Sequence, residues 1–141
     1  MTSPLLKVNQ LSKTFFSGYK GFKRQYNQAL EPISFELNRG ETLAIVGETG
    51  SGKSTLARIL VGAEERSSGE ILFEGEVLES RNLKQRCKLI RMIFQDPNTS
   101  LNPRLTVGEL LDEPLRFNTN LDKHARRNQV VDRLKKSRVV A

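Results

Sequence analysis

Eight consecutive residues, 47–54, read G-E-T-G-S-G-K-S and narrow the possible folds more than any other stretch of the 141-residue chain. They match G-x-x-x-x-G-K-[ST], the pattern of a phosphate-binding loop set between a strand and a helix. The flanks agree with it. Thr42–Val46 (TLAIV) is a short apolar run that predicts a strand buried on both faces. From Lys53 onward, Leu56, Ile59 and Leu60 fall on one helical face, and Gly62 is placed to end the helix. The residue types suit the chemistry. Gly47, Gly50 and Gly52, with Glu48, Thr49 and Ser51 between them, let the backbone turn tightly and bring its N–H groups near a phosphate. The helix that follows aims its positive dipole end at the same oxygens. Lys53 places a mobile ammonium on the β- and γ-phosphates. Ser54 offers a hydroxyl to Mg²⁺, which keeps several waters and takes few protein ligands. Thr55 is expected to help cap the helix and to reach the α-phosphate. At average residue usage the pattern arises by chance in about one chain of this length in 200. The strand–loop–helix context lowers that further, so a glycine-rich surface turn with an incidental lysine is set aside.

Composition excludes several other classes. The chain is 37% hydrophobic and 28% charged, which fits a globular protein rather than wholesale disorder. No apolar run approaches the ~20 residues of a membrane-spanning helix. Met1–Lys7 lacks a charged segment followed by an apolar one, so no signal peptide is expected. The single Cys87 excludes a disulfide framework and suits a reducing compartment, and the single His124 excludes a histidine-based metal cluster. The net charge of +7 is concentrated in two groups, Arg81–Arg91 and Lys123–Arg138. Such groups can bind nucleic acid or anionic lipid, or they can be solvated helix faces. No aromatic residues interleave with them as a base-stacking surface requires.

Periodicity supplies the remaining elements. Leu5–Leu11 and Ile33–Leu37 alternate as strands, and Ser17–Gln28, with two glycines and three basic residues, reads as an exposed loop. Gly69–Gly75 predicts a strand ending in a turn, Asn82–Lys88 a short helix, and Leu89–Phe94 another strand. Thr106-x-x-Glu109 is a capping box for a helix that Pro114 should end. Leu121 to about Lys136 predicts a charged helix with a thin apolar stripe of Leu121, Val130, Val131 and Leu134.

The phosphate loop alone does not separate GTPases, kinases and transport ATPases. The D-x-x-G and N-K-x-D motifs of a GTPase are absent. Four stretches resemble the ATP-binding subunit of an ABC transporter: Leu11–Phe15 (LSKTF), the loop in the form GETGSGKST, Ser68–Gly75 (SGEILFEG), and Met92–Arg104 (MIFQDPNTSLNPR). The last is similar to the peptide and nickel importer subfamily. The resemblance covers residues 5–135 and implies an α/β fold: a P-loop ATPase core with an antiparallel β subdomain over residues 1–104, and the start of a helical subdomain over 105–141. It implies that Phe15 stacks on adenine; the alternative reading is that Phe15, like its neighbour Phe16, is simply core. It implies that Gln95 joins Ser54 at Mg²⁺. The cofactors implied are ATP and Mg²⁺. The partners implied are a second ATPase subunit and membrane permease subunits, with the chain on the cytoplasmic side of the inner membrane, peripheral to it through the permease. No nucleic acid is expected.

The family also requires a Walker B strand, a switch histidine and a glycine-rich signature, and none is found. Leu110–Pro114 (LLDEP) resembles a Walker B ending, but only two apolar residues precede Asp112 and the capping box places it on a helix. The expectation is therefore a partial nucleotide-binding domain, ending before the signature, that binds Mg-ATP at most and does not hydrolyse it alone. A basic adaptor that binds nucleic acid or anionic lipid, and a nonfunctional remnant, are the rival readings.

Overall fold

The computed structural model describes residues 3–79, 83–94, 96 and 101–137. The chain divides into two compact units, Met1–Met92 and Ile93–Ala141.

The first unit is built on a long antiparallel hairpin, β1 (Leu6–Lys20) and β2 (Lys23–Leu37). On the other side of β1 lies β3 (Ser68–Phe73), followed by the two-residue β4 (Glu76–Val77), so the sheet order is β2-β1-β3-β4 with every pair antiparallel. The segment read as a loop, 17–28, is instead the far half of this hairpin, closed by the two-residue turn Gly21-Phe22. Its glycines and charges have loop composition, but Phe16, Tyr19 and Tyr26 favour extended backbone and pack across the ladder. Between β1 and β3 the register shifts after Asn9, and Ser34 accepts from both the Gln10 backbone N–H (2.8 Å) and its amide (2.9 Å) to hold that bulge.

Helix α1 (Lys53–Val61) ends at Gly62 as expected, with the Gly62 N–H on the Ile59 carbonyl and Ala63 N–H on the Arg58 carbonyl. Its Leu56 and Ile59 are buried with Leu6, Val8 and Leu11 of β1, Leu30 of β2, Ile71 of β3 and Leu78. Helix α2 (Leu83–Leu89) contributes Arg86, which the sequence placed in a basic group read either as an anion-binding surface or as a solvated helix face. The structure buries it. Its guanidinium donates to the Ile59 carbonyl (2.9 Å) at the end of α1 and to the Leu78 carbonyl (2.7 Å). Desolvation, and secondarily the charge of Arg66, pull its pKa below the usual arginine value, with Glu79 acting in the opposite direction. The Ile59 carbonyl thus accepts from Arg86 as well as from the Gly62 N–H, and the buried guanidinium links the end of α1 to the segment after β4.

Two predicted strands do not form. Thr42–Val46 has no regular structure, and Leu43, Ile45 and Val46 are exposed. Leu89 closes α2, and 90–94 carries no strand. A strand buried on both faces requires hydrogen-bonded neighbours and cover. Among the described residues, no strand pairs with either segment.

In the second unit, α3 (Val107–Asn118) opens on the predicted capping box, and the Glu109 N–H donates to Thr106 Oγ1 (3.3 Å). Pro114 does not end α3, which continues through it for another turn. Helix α4 (Lys123–Lys136) starts two residues later than read, because Asp122 caps it by accepting from the Ala125 N–H (2.7 Å). Of its predicted stripe, Val130 is buried.

Two predictions follow from this packing. Ile71 is fully buried at the centre of the sheet core, so Ile71→Ala should cost about 2–5 kcal/mol in urea unfolding. The carboxylate of Glu109 accepts from the Thr106 backbone N–H (2.8 Å) and hydroxyl (2.8 Å), which hold its pKa below the usual glutamate value. A depressed folded pKa means that the contribution to helix stability is complete above the unfolded value and fades as pH falls through the folded one. First-turn amides of α3 should lose hydrogen-exchange protection over that acidic range, and Glu109→Gln should remove the step.

Candidate phosphate-binding site

Residues 47–52 lead directly into α1, whose first helical residue is Lys53 and whose N-cap is Gly52. A glycine at the N-cap carries no capping side chain, and the first turn of α1 contains no acidic residue. The first intrahelical bond runs from the Leu56 N–H to the Gly52 carbonyl (2.8 Å). The N–H groups before it have no partner within the helix and no side-chain cap, at the positive end of the helix dipole. Thr55 was expected to help cap this end, but no side chain does so.

Gly52 is required for two reasons. Its φ of +91° lies in the left-handed region, and a Cβ there would sit 2.5 Å from the Ala29 carbonyl oxygen of β2. The backbone of the loop therefore rests directly on the hairpin. The close approach to Ala29 and Leu30 was not legible beforehand, since the motif specifies the glycine but not what it touches.

Lys53 curls back over its own loop. Its ammonium donates to the carbonyls of Gly47 (2.7 Å) and Glu48 (2.6 Å) and to Ser51 Oγ (3.3 Å). The Ser51 N–H closes a turn on the Glu48 carbonyl (3.2 Å). Residues 41–51 are exposed, and Ser54 is exposed behind them. Among the described residues, the Ser54 and Thr55 hydroxyls have no hydrogen-bond partner. The arrangement can take an anion: a cation resting on the carbonyls of its own loop, beside first-turn N–H groups that no side chain caps, with two hydroxyls open at the helix entrance. The structure thus brings Gly47, Glu48, Thr49, Gly50, Ser51, Gly52, Lys53, Ser54 and Thr55 into one loop–helix junction.

Phe15 stands apart, on β1 opposite Asn27. Neither it nor Phe16 is core, since both rings are exposed. The Lys13 ammonium lies 4.7 Å from the centre of the Phe15 ring, and Lys13 itself is anchored by the Glu64 carboxylate (2.6 Å) and the Glu65 carbonyl (2.6 Å) just beyond α1. This anchor was also missed, because a lysine inside an alternating strand gives no signal of its partner 51 residues away. Gln95 lies outside the described residues, as do Pro97–Ser100. Asp112 and Glu113 of the rejected Walker B resemblance are on α3, and Asp112 pairs with Arg126 (2.8 Å). Arg126 and Lys136, which pairs with Asp132 (2.9 Å), are thereby partly neutralised within the second basic group.

Residues 30–140 match the ABC transporter family. The chain belongs to that family. Among ABC proteins it is 49% identical over 135 residues to the putrescine export system ATP-binding protein SapF of Escherichia coli K12, covering 96% of this chain and 50% of that protein. It has the same identity and coverage with the peptide transport system ATP-binding protein SapF of Salmonella typhimurium. It is 42% identical to the dipeptide transport ATP-binding protein DppF of Haemophilus influenzae, covering 95% of this chain and 42% of that one. The fold is similar to the ATP-binding cassette MJ0796, solved as a dimer in a post-hydrolysis state bound to ADP and Pi, with a TM-score of 0.70 at 26% identity over 92% of this chain and 56% of the other. The α/β fold is therefore that of an ABC ATPase cassette, and the sheet described above is antiparallel. The chain spans about half the length of the curated relatives it matches. Among the described residues, no helix is long and apolar enough to cross a membrane.

The contact of Gly52 with β2 gives a prediction. Gly52→Ala combines the left-handed φ with a clash against main chain, and should cost at least about 1–3 kcal/mol, read as a lowered denaturant midpoint.

Proposed function

We propose that this chain is an ATP-binding portion of an ABC transporter subunit that energises peptide uptake across the inner membrane. The observation that carries the reading is the junction at Lys53: an ammonium resting on the Gly47 and Glu48 carbonyls beside uncapped first-turn N–H groups. An incoming triphosphate would replace those carbonyl contacts with stronger, charge-assisted ones. The loop N–H groups and Lys53 would hold the phosphates, and Phe15 would stack on the adenine. Ser54 would ligate Mg²⁺ together with Gln95. Its exposed, unpartnered hydroxyl suits an ion that takes few protein ligands and completes its shell with phosphate and water. When bound, the ion supplies neutralising charge to the β- and γ-phosphates.

Peptide transport rests on the SapF of Salmonella typhimurium and the DppF of Haemophilus influenzae, ATP-binding proteins of peptide and dipeptide transport. Like other subunits of such systems, the chain would work from the cytoplasmic face, beside a second ATPase subunit and membrane permeases. The SapF and DppF proteins that it matches are about twice its length. The 141 residues contain no Walker B strand, signature or switch histidine, and hydrolysis depends on positioning water and charge with such groups. The chain is therefore proposed to bind Mg-ATP without turning it over.

Calorimetric titration tests this. Mg-ATP should bind saturably and raise the melting temperature, and Lys53→Ala should abolish both effects while the protein stays folded. Phosphate release should remain at background. Lysine-dependent turnover would refute the non-hydrolytic part of the reading, and binding that ignores Lys53→Ala would refute the site.

A further inference from the structure

The far end of the β1–β2 hairpin has features that nucleotide binding does not use. Gly21, at φ +63°, opens the two-residue turn, and Phe22 occupies its second position, fully exposed. Lys20 and Lys23 are direct cross-strand partners at the base of that turn, and Arg24 follows, opposite Tyr19. Like charges placed directly opposite each other destabilise a hairpin. The sequence from Phe15 to Leu30 contains no acidic residue. Among the described residues, none of Lys20, Lys23 and Arg24 has an ion-pair partner. The three cations line a hollow of about 380 Å³ with Ser17, Gln25 and Tyr26.

The apolar part is equally ordered. Phe16 contacts Tyr19 and Tyr26 edge-to-face at centroid distances of 5.2 and 5.9 Å, and all three rings are largely exposed. The tip thus has a leading phenyl ring, a collar of unneutralised cations immediately behind it, and an aromatic patch behind that. This is the polarity profile of a bilayer interface entered from water: an apolar end meets the acyl boundary while ammonium and guanidinium groups stay level with phosphates. Single-stranded nucleic acid is a poorer fit. Stacking needs open ring faces arranged as a platform, whereas Phe16 is engaged by both tyrosines and Phe22 leads alone.

We propose that the β1–β2 hairpin tip docks on an anionic phospholipid surface, with Lys20, Lys23 and Arg24 on headgroup phosphates and Phe22 in the interface. The surface is separate from the phosphate loop, and its docking stands whether or not the chain binds ATP.

The chain has no Trp, so Phe22→Trp installs a single reporter at the tip. Its emission should shift to the blue with vesicles of phosphatidylcholine and phosphatidylglycerol, and not with phosphatidylcholine alone. The otherwise native chain should co-sediment with the anionic vesicles only. Combined Lys20→Ala, Lys23→Ala and Arg24→Ala should weaken that binding by about a hundredfold, the sum expected from three cations near an anionic surface. The melting temperature should be unchanged or raised, because the substitutions remove a like-charge pair. Equal binding to neutral vesicles, or retention by the triple variant, would overturn the proposal. A reporter that shifts with single-stranded DNA but not with anionic vesicles would reassign the tip to nucleic acid.

Discussion

Leu56 and Ile59 pin helix α1 to the antiparallel sheet, and everything this molecule can do with a phosphate hangs from that seam. A nine-residue helix has little stability of its own in water. What holds it is burial of one face against Leu6, Val8 and Leu11 of β1, Leu30 of β2 and Ile71 of β3. Gly52 then sets the loop backbone onto Ala29 and Leu30 at the N-terminal end, and Arg86 ties off the Ile59 carbonyl at the other. The helix is clamped at both ends by contacts that involve main chain, so its dipole is aimed by the fold rather than by the loop.

The clamp explains how an exposed loop can hold a defined shape. Residues 41–51 bury none of their side chains, yet Lys53 gathers the Gly47 and Glu48 carbonyls and Ser51 into one turn. Those acceptors are weaker partners for an ammonium than phosphate oxygens. The lysine is thus held near where it is needed by bonds that an anion can displace. The clamp also has a distal anchor, since Lys13 on β1 reaches Glu64 and Glu65 just past α1 and carries the exposed Phe15 ring beside it.

Much of this was legible in the sequence where a local rule decides the outcome. The G-x-x-x-x-G-K-S pattern located the junction, Gly62 located the end of α1, and Thr106 with Glu109 located the start of α3. The failures share a cause. Thr42–Val46 and Leu89–Phe94 have strand composition but pair with no strand among the described residues, and an apolar run cannot announce whether its neighbours are there. Ser17–Gln28 was lost to loop composition, although its aromatics pair across a regular ladder. Arg86 counted as surface charge because nothing local reveals that its guanidinium reaches carbonyls at the end of another helix and after β4. The site itself was readable as a set of residues. The apolar face of α1 was readable too, but the contacts of Gly52, Arg86 and Lys13 that support it were not, because each reaches a partner distant in the sequence.

The central claim is that the clamped N-terminus of α1 is a phosphate receptor. Backbone amide NMR of the labelled chain, titrated with Mg-ATP, tests it at single residues. The account predicts that the largest shifts fall on Gly50 to Thr55, with Gly47 and Glu48 moving as Lys53 leaves their carbonyls. Shifts confined to the basic helix α4, or none in the loop at nucleotide saturation, would contradict it.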